Sequence, residues 1–190
     1  MQTIQTAALV LEPQVIAHAE EMWIVLSDPA IYEFENGPPA SLDWLRARYA
    51  RLEARHSPDG QQQWLNWVIR LPTSELIGYV QATIYPDRRV FVAYELSSAY
   101  WGRGLATQSV TAMMAHLTEY NQINDYFAIL KRDNMRSYRL LERLGFVLAT
   151  VDQRIEYGLE SDELLMCCIK NSLAVVNMSL FYMRNLTTFF

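Results

Sequence analysis

Alternating apolar residues predict that the middle of the chain forms a run of short β-strands. Over residues 62–71, apolar side chains recur at every second position, which is the period of a strand. The segments 76–85 and 90–97 have the same character, and each follows a turn-forming segment that contains proline. These three segments predict an antiparallel meander, and a first strand is predicted at 5–12.

Helical spacing of apolar residues predicts four helices, and later strands complete the sheet. The predicted helices are 14–27, 41–56, 104–120 and 134–144, and the later strands are 124–131, 145–155 and 163–170. The connection 28–40 contains Gly37-Pro38-Pro39, which cannot continue a helix. The strand–helix–strand order around 104–120 predicts one right-handed parallel β-α-β crossover. We therefore expect a mixed α/β (α+β) fold, in which helices flank a central, largely antiparallel sheet.

Length and charge narrow the classes of function. The chain has 190 residues, of which 51% are hydrophobic, so we expect residues 1–170 to form one domain with a substantial core. The net charge of −5 argues against a nucleic-acid partner. The first residues carry no basic segment, and the apolar stretches are interrupted by polar residues. We therefore expect a cytoplasmic protein with no membrane partner.

The cysteines and histidines do not indicate a metal centre. Cys167 and Cys168 are adjacent on a predicted strand and should point to opposite faces, which disfavours both an intrachain disulfide and a metal pair. His18, His56 and His116 lie far apart and lack the spacing of metal ligands. No metal is expected.

A strand, a short turn and a glycine-punctuated helix start occur together at residues 94–107, Tyr-Glu-Leu-Ser-Ser-Ala-Tyr-Trp-Gly-Arg-Gly-Leu-Ala-Thr. A helix start leaves backbone N–H groups unpaired, and Gly102 and Gly104 remove side chains that would keep a phosphate away. The P-loop sequence is absent, and the third glycine of the dinucleotide fingerprint is missing. The pattern predicts a phosphate or pyrophosphate site, although a glycine pair is also compatible with a plain turn before a helix.

A second motif, about thirty residues later, makes a resemblance specific. Trp101-Gly-Arg-Gly104-Leu-Ala106 resembles the acyl-CoA pyrophosphate loop of the GCN5-related N-acetyltransferases. Asn134-Met-Arg-Ser137-Tyr-Arg-Leu-Leu-Glu-Arg-Leu-Gly145-Phe146 resembles the helix that follows in that family, and the order and spacing of the two motifs both match. Trp101 stands where the family's loop has Gln or Arg. With Tyr94-Glu95-Leu96-Ser97 before it, the chain is similar to the branch that includes the ribosomal-protein and N-terminal-amine acetyltransferases.

The resemblance implies acetyl-CoA as the acetyl donor and implies which residues bind it. Backbone groups of Glu95, Leu96 and Ser97 would hold the pantetheine arm where two parallel strands splay apart. Asn134 would lie beside the pantetheine amides, and Ser137 near the thioester sulfur. The Arg103 side chain would be an additional, charged partner of the pyrophosphate. The pyrophosphate itself would bind the backbone N–H groups at the helix start, which are those of Arg103, Gly104, Leu105, Ala106 and Thr107.

Catalytic groups are less clearly marked. Ile129 and Leu141 occupy the positions at which relatives carry a glutamate base and a tyrosine acid, so both groups are missing. We expect Ser137 to donate a proton to the leaving thiolate, directly or through water, and Glu95 to act as a base through water. These residues also have ordinary structural alternatives. Glu95 is compatible with a plain strand residue, and Asn134 and Ser137 are compatible with helix capping.

A weak base favours an acceptor amine that loses its proton readily. An α-amine has a pKa of about 8, against about 10.4 for lysine, so protein N-termini and aminoglycosides are favoured acceptors. We expect the acceptor to dock beside the connection 28–40. There the carboxylates of Glu33 and Glu35 would attract a cationic amine, although such glutamates are also compatible with plain solvated charge.

Three functions remain open on the sequence. The first is transfer of acetyl from acetyl-CoA to a primary amine, by direct attack in a ternary complex. The second is a catalytically weak acyl-CoA-binding regulatory protein, and the third is an interaction module whose loop only packs. Residues 171–190 depart from the family pattern, since they are apolar with only Arg184 charged. We expect this extension to pack against the domain or to form a homodimer.

Overall fold

The computed structural model describes residues 1–34 and 37–169, and the chain divides into two compact units, residues 1–123 and the residues from 124 onward. The elements described in the first unit are β1 (Ile4–Gln5), β2 (Val10–Pro13), α1 (Ala19–Leu26), α2 (Leu42–Leu52), β3 (Gln63–Arg70), β4 (Leu76–Ile84), β5 (Val90–Leu96) and α3 (Leu105–Asn121). Those described in the second unit are β6 (Asp125–Lys131), α4 (Met135–Arg143), β7 (Val147–Leu148), α5 (Val151–Glu156) and β8 (Glu163–Ile169). The predicted domain boundary at 170 and the extension 171–190 lie outside the described residues.

Strands β1 to β5 pair in sequence order, each antiparallel to the next, which confirms the predicted meander. The predicted strand 5–12 is instead two short strands, because Thr6 donates its hydroxyl to the carbonyl of Leu9 at 2.9 Å and turns the chain. In the second unit, β8 pairs antiparallel with both β6 and β7. Helix α3 leads from β5 to β6, so the chain has the predicted strand–helix–strand order. The mixed α/β fold class is confirmed.

Both faces of β3 are covered. Three consecutive residues, Trp67, Val68 and Ile69, are each 0% exposed, although their side chains alternate between the two faces of a strand. Val68 belongs to the core cluster beneath α1 and α2, together with Ala19, Met22, Leu45 and Tyr49. The Trp67 ring meets the His116 ring of α3 edge to face, at 6.0 Å between centroids. Helices therefore flank this part of the sheet on both sides, as predicted.

The first helix begins later than predicted. The helix predicted over 14–27 is a single 3-10 turn, Ile16–His18, followed by α1. The N–H of Gln14 donates to the carbonyl of Asn66 at 2.9 Å, which continues pairing with β3 beyond the end of β2. Val15 is likewise extended, with φ of −134° and ψ of 165°. Sheet pairing therefore holds these residues out of the helix.

The prediction of a strand over 145–155 was wrong. Only β7 forms there, and α5 begins at Val151. The Thr150 hydroxyl accepts the N–H of Gln153 at 3.3 Å, and the Gln153 amide oxygen accepts the N–H of Thr150 at 2.9 Å. This reciprocal capping box starts a helix. Its Thr-x-x-Gln signature is present in the sequence but stands beside β-branched residues that favour a strand.

Within the part of the chain that the structure describes, no helix is both long and apolar enough to cross a membrane. The same residues contain no group of three or more His, Cys, Asp or Glu side chains arranged to hold a metal ion. Cys167 is buried and Cys168 is partly buried, and neither forms a disulfide in the described part of the chain.

Candidate functional site

The start of α3 has backbone N–H groups without an acceptor in the helix, next to two glycines with open space around them. Gly104 is the N-cap residue and has a left-handed φ of 74°, as does Gly102. A Cβ atom added at either glycine would meet nothing within 4 Å. The N–H of Gln108 donates to the carbonyl of Gly104 at 3.0 Å, so the N–H groups of the preceding residues lie in the first turn, where the helix offers them no acceptor. These are the N–H groups predicted to hold a pyrophosphate.

Side-chain contacts of Tyr100 stabilise residues 97–104, here called the glycine loop. The guanidinium of Arg103 lies 5.2 Å from the centre of the Tyr100 ring. The Tyr100 hydroxyl donates to a Glu75 carboxylate oxygen at 2.9 Å, and this bond raises the pKa of Tyr100. The exposed Arg103 side chain is thus held beside Gly104, where it can meet an anion bound at the helix start.

The indole of Trp101 ties the glycine loop to the end of β5. Its N–H donates to the carbonyl of Leu96 at 2.9 Å, and its ring packs against the core cluster beneath α1 and α2. The N–H of Ser97 donates to the carbonyl of Ile77 at 2.9 Å. The Leu96 carbonyl has a second lone pair, whereas the Ser97 N–H is fully used within the protein. Trp101 is therefore a structural brace of the loop.

Gly78 allows the close approach of β4 to β5 at this point. It pairs with Leu96, and a Cβ atom there would lie 2.0 Å from the carbonyl oxygen of Glu95 and 2.8 Å from the Cα of Leu96. Any larger residue would push the end of β5 away. Sequence reasoning missed Gly78, although a glycine inside an apolar strand signals a close backbone approach.

Asp28 joins the glycine loop to residues 28–34, here called the connection segment. One carboxylate oxygen accepts the N–H of Ala30 at 3.0 Å and caps the 3-10 helix Pro29–Tyr32. The other accepts the N–H of Ser98 at 2.8 Å. Hydrogen bonds from the side chain and backbone of Ser98, and then from Ala30, hold the pKa of Asp28 below its ordinary value. Sequence reasoning missed this residue, because its partner lies 70 positions away.

Tyr32 and Glu95 influence one another beside this bridge. The Tyr32 hydroxyl donates to the carbonyl of Leu26 at 2.7 Å. Burial, together with the negative charges of Glu95 and Asp28, raises the pKa of Tyr32 to about 12. Tyr32 therefore stays protonated at neutral pH. Glu95, the predicted base, is partly exposed on β5 opposite Tyr79.

In the second unit, Asn134 has the capping role that the sequence left open. It is the N-cap of α4, and its side-chain oxygen accepts the backbone N–H of Ser137 at 3.1 Å. Ser137 is partly buried, and Leu141, one turn further on, is 1% exposed. Leu141 therefore serves the core at the position where relatives carry an acid.

Of the two glutamates predicted to attract the acceptor amine, Glu33 and Glu35, the structure describes only Glu33. Glu33 is exposed and directly follows the 3-10 helix that Asp28 caps. Glu35 lies outside the described residues. The Glu33 carboxylate is thus attached to the backbone at the end of this short helix.

Residues 8–147 match the family model of the acetyltransferase (GNAT) domain, and the chain belongs to that family. It is an N-acetyltransferase that uses acetyl-CoA, as the resemblance implied. A curated relative, "Uncharacterized N-acetyltransferase p20" of Bacillus licheniformis, is 25% identical over 149 residues, which are 77% of this chain and 83% of that protein.

The solved structures that resemble this chain over most of its length include two ribosomal-protein acetyltransferases. RimL, a ribosomal L7/L12 alpha-N-protein acetyltransferase in complex with coenzyme A, has a TM-score of 0.74 and 21% identity, covering 88% of this chain and 98% of RimL. The ribosomal-protein-S5-alanine acetyltransferase of Vibrio fischeri has a TM-score of 0.73 and 18% identity, covering 90% of this chain and 98% of that one. At these identities the likeness shows the fold, and both enzymes come from the branch that the motifs resemble.

Proposed function

We propose that this enzyme transfers acetyl from acetyl-CoA directly to a primary amine held in the same ternary complex. The amine nitrogen attacks the thioester carbonyl carbon, a C–N bond forms and the C–S bond breaks. The amine gives up one proton, and the thiolate of coenzyme A takes one. The observation that carries the proposal is the start of α3, where the first-turn N–H groups have no acceptor within the helix and directly follow two exposed glycines with open space at their Cβ positions.

The residues at the start of α3 suit the pyrophosphate of acetyl-CoA. Unpaired N–H groups and the positive end of the helix dipole favour an anion, and the absence of a side chain at Gly104 leaves room for one. Arg103 adds a guanidinium held in place by Tyr100. The proposed anion contacts are therefore Arg103, Gly104, Leu105, Ala106 and Thr107. Leu96 and Asn134 are carried to the pantetheine arm by the family resemblance. Ser97 is carried there too, although its N–H already donates to the carbonyl of Ile77.

We assign the two proton transfers to Ser137 and Glu95. A serine hydroxyl is a hydrogen-bond donor that can stabilise a leaving thiolate directly or through one water. Glu95 lies next to the proposed pantetheine contacts on β5 and is accessible enough to receive a proton through water. The carboxylates of Glu33 and Glu35 are proposed to attract the amine as it approaches.

The acceptor class follows from the weakness of this base. An amine with a pKa of about 8 is partly neutral at pH 7, whereas a lysine amine of about 10.4 is almost fully charged. Protein N-termini are therefore the leading acceptors, and small-molecule amines of the aminoglycoside kind are the second candidate. The lack of a glutamate at position 129 and of a tyrosine at position 141 also supports the regulatory alternative, in which acetyl-CoA binds without efficient transfer.

A panel of amines tests these alternatives, with release of free thiol from acetyl-CoA as the measurement. We expect turnover with peptides that have a free N-terminus, and none with the same peptides blocked at the N-terminus but carrying an internal lysine. Turnover restricted to aminoglycosides would select the small-molecule alternative. Saturable binding of acetyl-CoA without thiol release from any amine would select the regulatory protein.

A further inference from the structure

The carboxylate of Asp28 connects the connection segment with the glycine loop. Its two oxygens have different partners, the N–H of Ala30 at 3.0 Å and the N–H of Ser98 at 2.8 Å. Charge-assisted bonds of this length are stronger than bonds between neutral groups. Ser98 lies six residues before Gly104 in the same loop.

The connection segment is stiff enough to carry a displacement. Ile31 is 5% exposed and belongs to the core cluster beneath α1 and α2. Tyr32 is anchored by its hydroxyl bond to the carbonyl of Leu26. The other side of the contact is equally constrained, because Trp101 ties the glycine loop to Leu96. A shift of the glycine loop is therefore transmitted through Asp28 to the connection segment as a rigid displacement. It is not absorbed by flexible backbone.

We propose that Asp28 is a positioning residue, whose carboxylate aligns the connection segment with the glycine loop so that acetyl-CoA binding at the loop orders the acceptor side of the site. This inference rests on the proposed function, which docks the acceptor amine beside the connection segment. Misplacement of a reacting group by about 1 Å can cost about a hundredfold in rate, so a bridge of this kind acts on turnover rather than on cofactor affinity.

Asp28→Ser separates the two bonds of the bridge. A serine oxygen can still cap the 3-10 helix at Ala30, but it cannot also accept the N–H of Ser98. Asp59→Ser is the matched control, because Asp59 also accepts a backbone N–H, that of Gln61 at 3.1 Å, and a serine hydroxyl, that of Ser57. Asp59 lies in the turn before β3, whose first residue pairs with Ile84, at the opposite end of β4 from Gly78.

The first measurement is steady-state kinetics with the best amine of the panel. We expect Asp28→Ser to lower kcat by about ten- to a hundredfold while the Kd for acetyl-CoA changes by less than about threefold. Asp59→Ser should keep the wild-type kcat, whatever it does to the melting temperature. Wild-type kcat in Asp28→Ser, or an equal loss of kcat in both variants, would overturn the proposal.

The second measurement is amide hydrogen exchange with and without acetyl-CoA, which requires no turnover. In the wild type and in Asp59→Ser, acetyl-CoA should slow exchange both at the start of α3 and in the connection segment. In Asp28→Ser it should slow exchange only at the start of α3. Unchanged exchange in the wild-type connection segment, or equal slowing in Asp28→Ser, would overturn the proposal. Failure of the whole amine panel would instead overturn the proposed transfer reaction, and hydrogen exchange would still decide the role of Asp28.

Discussion

At the scale of single residues, Ser137 uses its backbone N–H for structure, whereas its hydroxyl is the group proposed for chemistry. The Asn134 side chain caps α4 by accepting the backbone N–H of Ser137, a group that alanine at this position would keep. The hydroxyl is the group that we assign to the leaving thiolate. A substitution that removes only the hydroxyl therefore tests the chemistry without removing the cap.

Ser137→Ala should lower kcat by about ten- to a hundredfold and leave the Kd for acetyl-CoA within a few-fold of wild type, because a bond to the thiolate is made chiefly in the transition state. Thiol release and acetyl-CoA titration measure the two quantities. Asn134→Ala is the control for capping. Loss of the Asn134 cap should lower the unfolding free energy by about 1 kcal/mol. Equal losses of affinity and turnover in Ser137→Ala would mark Ser137 as a cofactor-positioning residue instead.

At the scale of elements, the N-cap of α3 is Gly104, which has a left-handed backbone conformation and open space around its Cβ position. Gly104 has φ of 74°, which non-glycine residues adopt at a cost and asparagine tolerates better than most. An added Cβ atom meets nothing, so a side chain there would project into the volume proposed for the pyrophosphate rather than into the protein. Position 104 can therefore be changed to alter charge at the helix start while the fold is kept.

Gly104→Asp should abolish the rise in melting temperature that acetyl-CoA produces by binding the native state. Gly104→Asn has nearly the same size without the charge, and should retain a weakened rise. The difference between the two variants isolates electrostatic repulsion of the pyrophosphate from steric exclusion. A full thermal shift in Gly104→Asp would remove the anion site from the start of α3.

At the scale of the whole molecule, two histidines held in packed surroundings make stability depend on pH. Burial lowers the pKa of His116, whose ring contacts those of Trp67 and Tyr120, and the negative charge of Glu119 acts in the opposite direction. Burial also lowers the pKa of His18, against the opposing effect of Glu12. The unfolded chain therefore binds protons on these groups at a higher pH than the folded protein does.

The unfolding free energy should consequently fall as the pH drops from about 7 towards 5, the range in which unfolded histidines gain protons before carboxylates titrate. Denaturant unfolding at several pH values measures the slope. His116→Phe keeps an aromatic ring against Trp67 and removes the titrating group, so its slope should be shallower than that of the wild type. An unchanged slope would show that protonation of His116 does not oppose folding.

Much of the fold and the outline of the site could be predicted from sequence because their signals are local. The meander followed from alternating residues and turns, and the start of α3 followed from Gly102 and Gly104 and the motif around them. The capping box of Thr150 and Gln153 was equally local, but neighbouring β-branched residues favoured the wrong element. Local patterns therefore determined the fold class, the family and the position of the proposed anion site.

The tertiary structure alone decided which distant groups meet. The bridge from Asp28 to Ser98, the effect of Glu95 on Tyr32 and the close approach of Gly78 to Glu95 all join residues far apart in sequence. No periodicity or motif encodes such a pair, since each contact depends on how β4, β5 and the connection segment fold back on one another. The sequence by itself determined most of the elements, although not the start of α1 or the helix α5, and it determined where acetyl-CoA is expected to bind. Folding decided which side chains surround that place, because burial and hydrogen bonding act through space rather than along the chain.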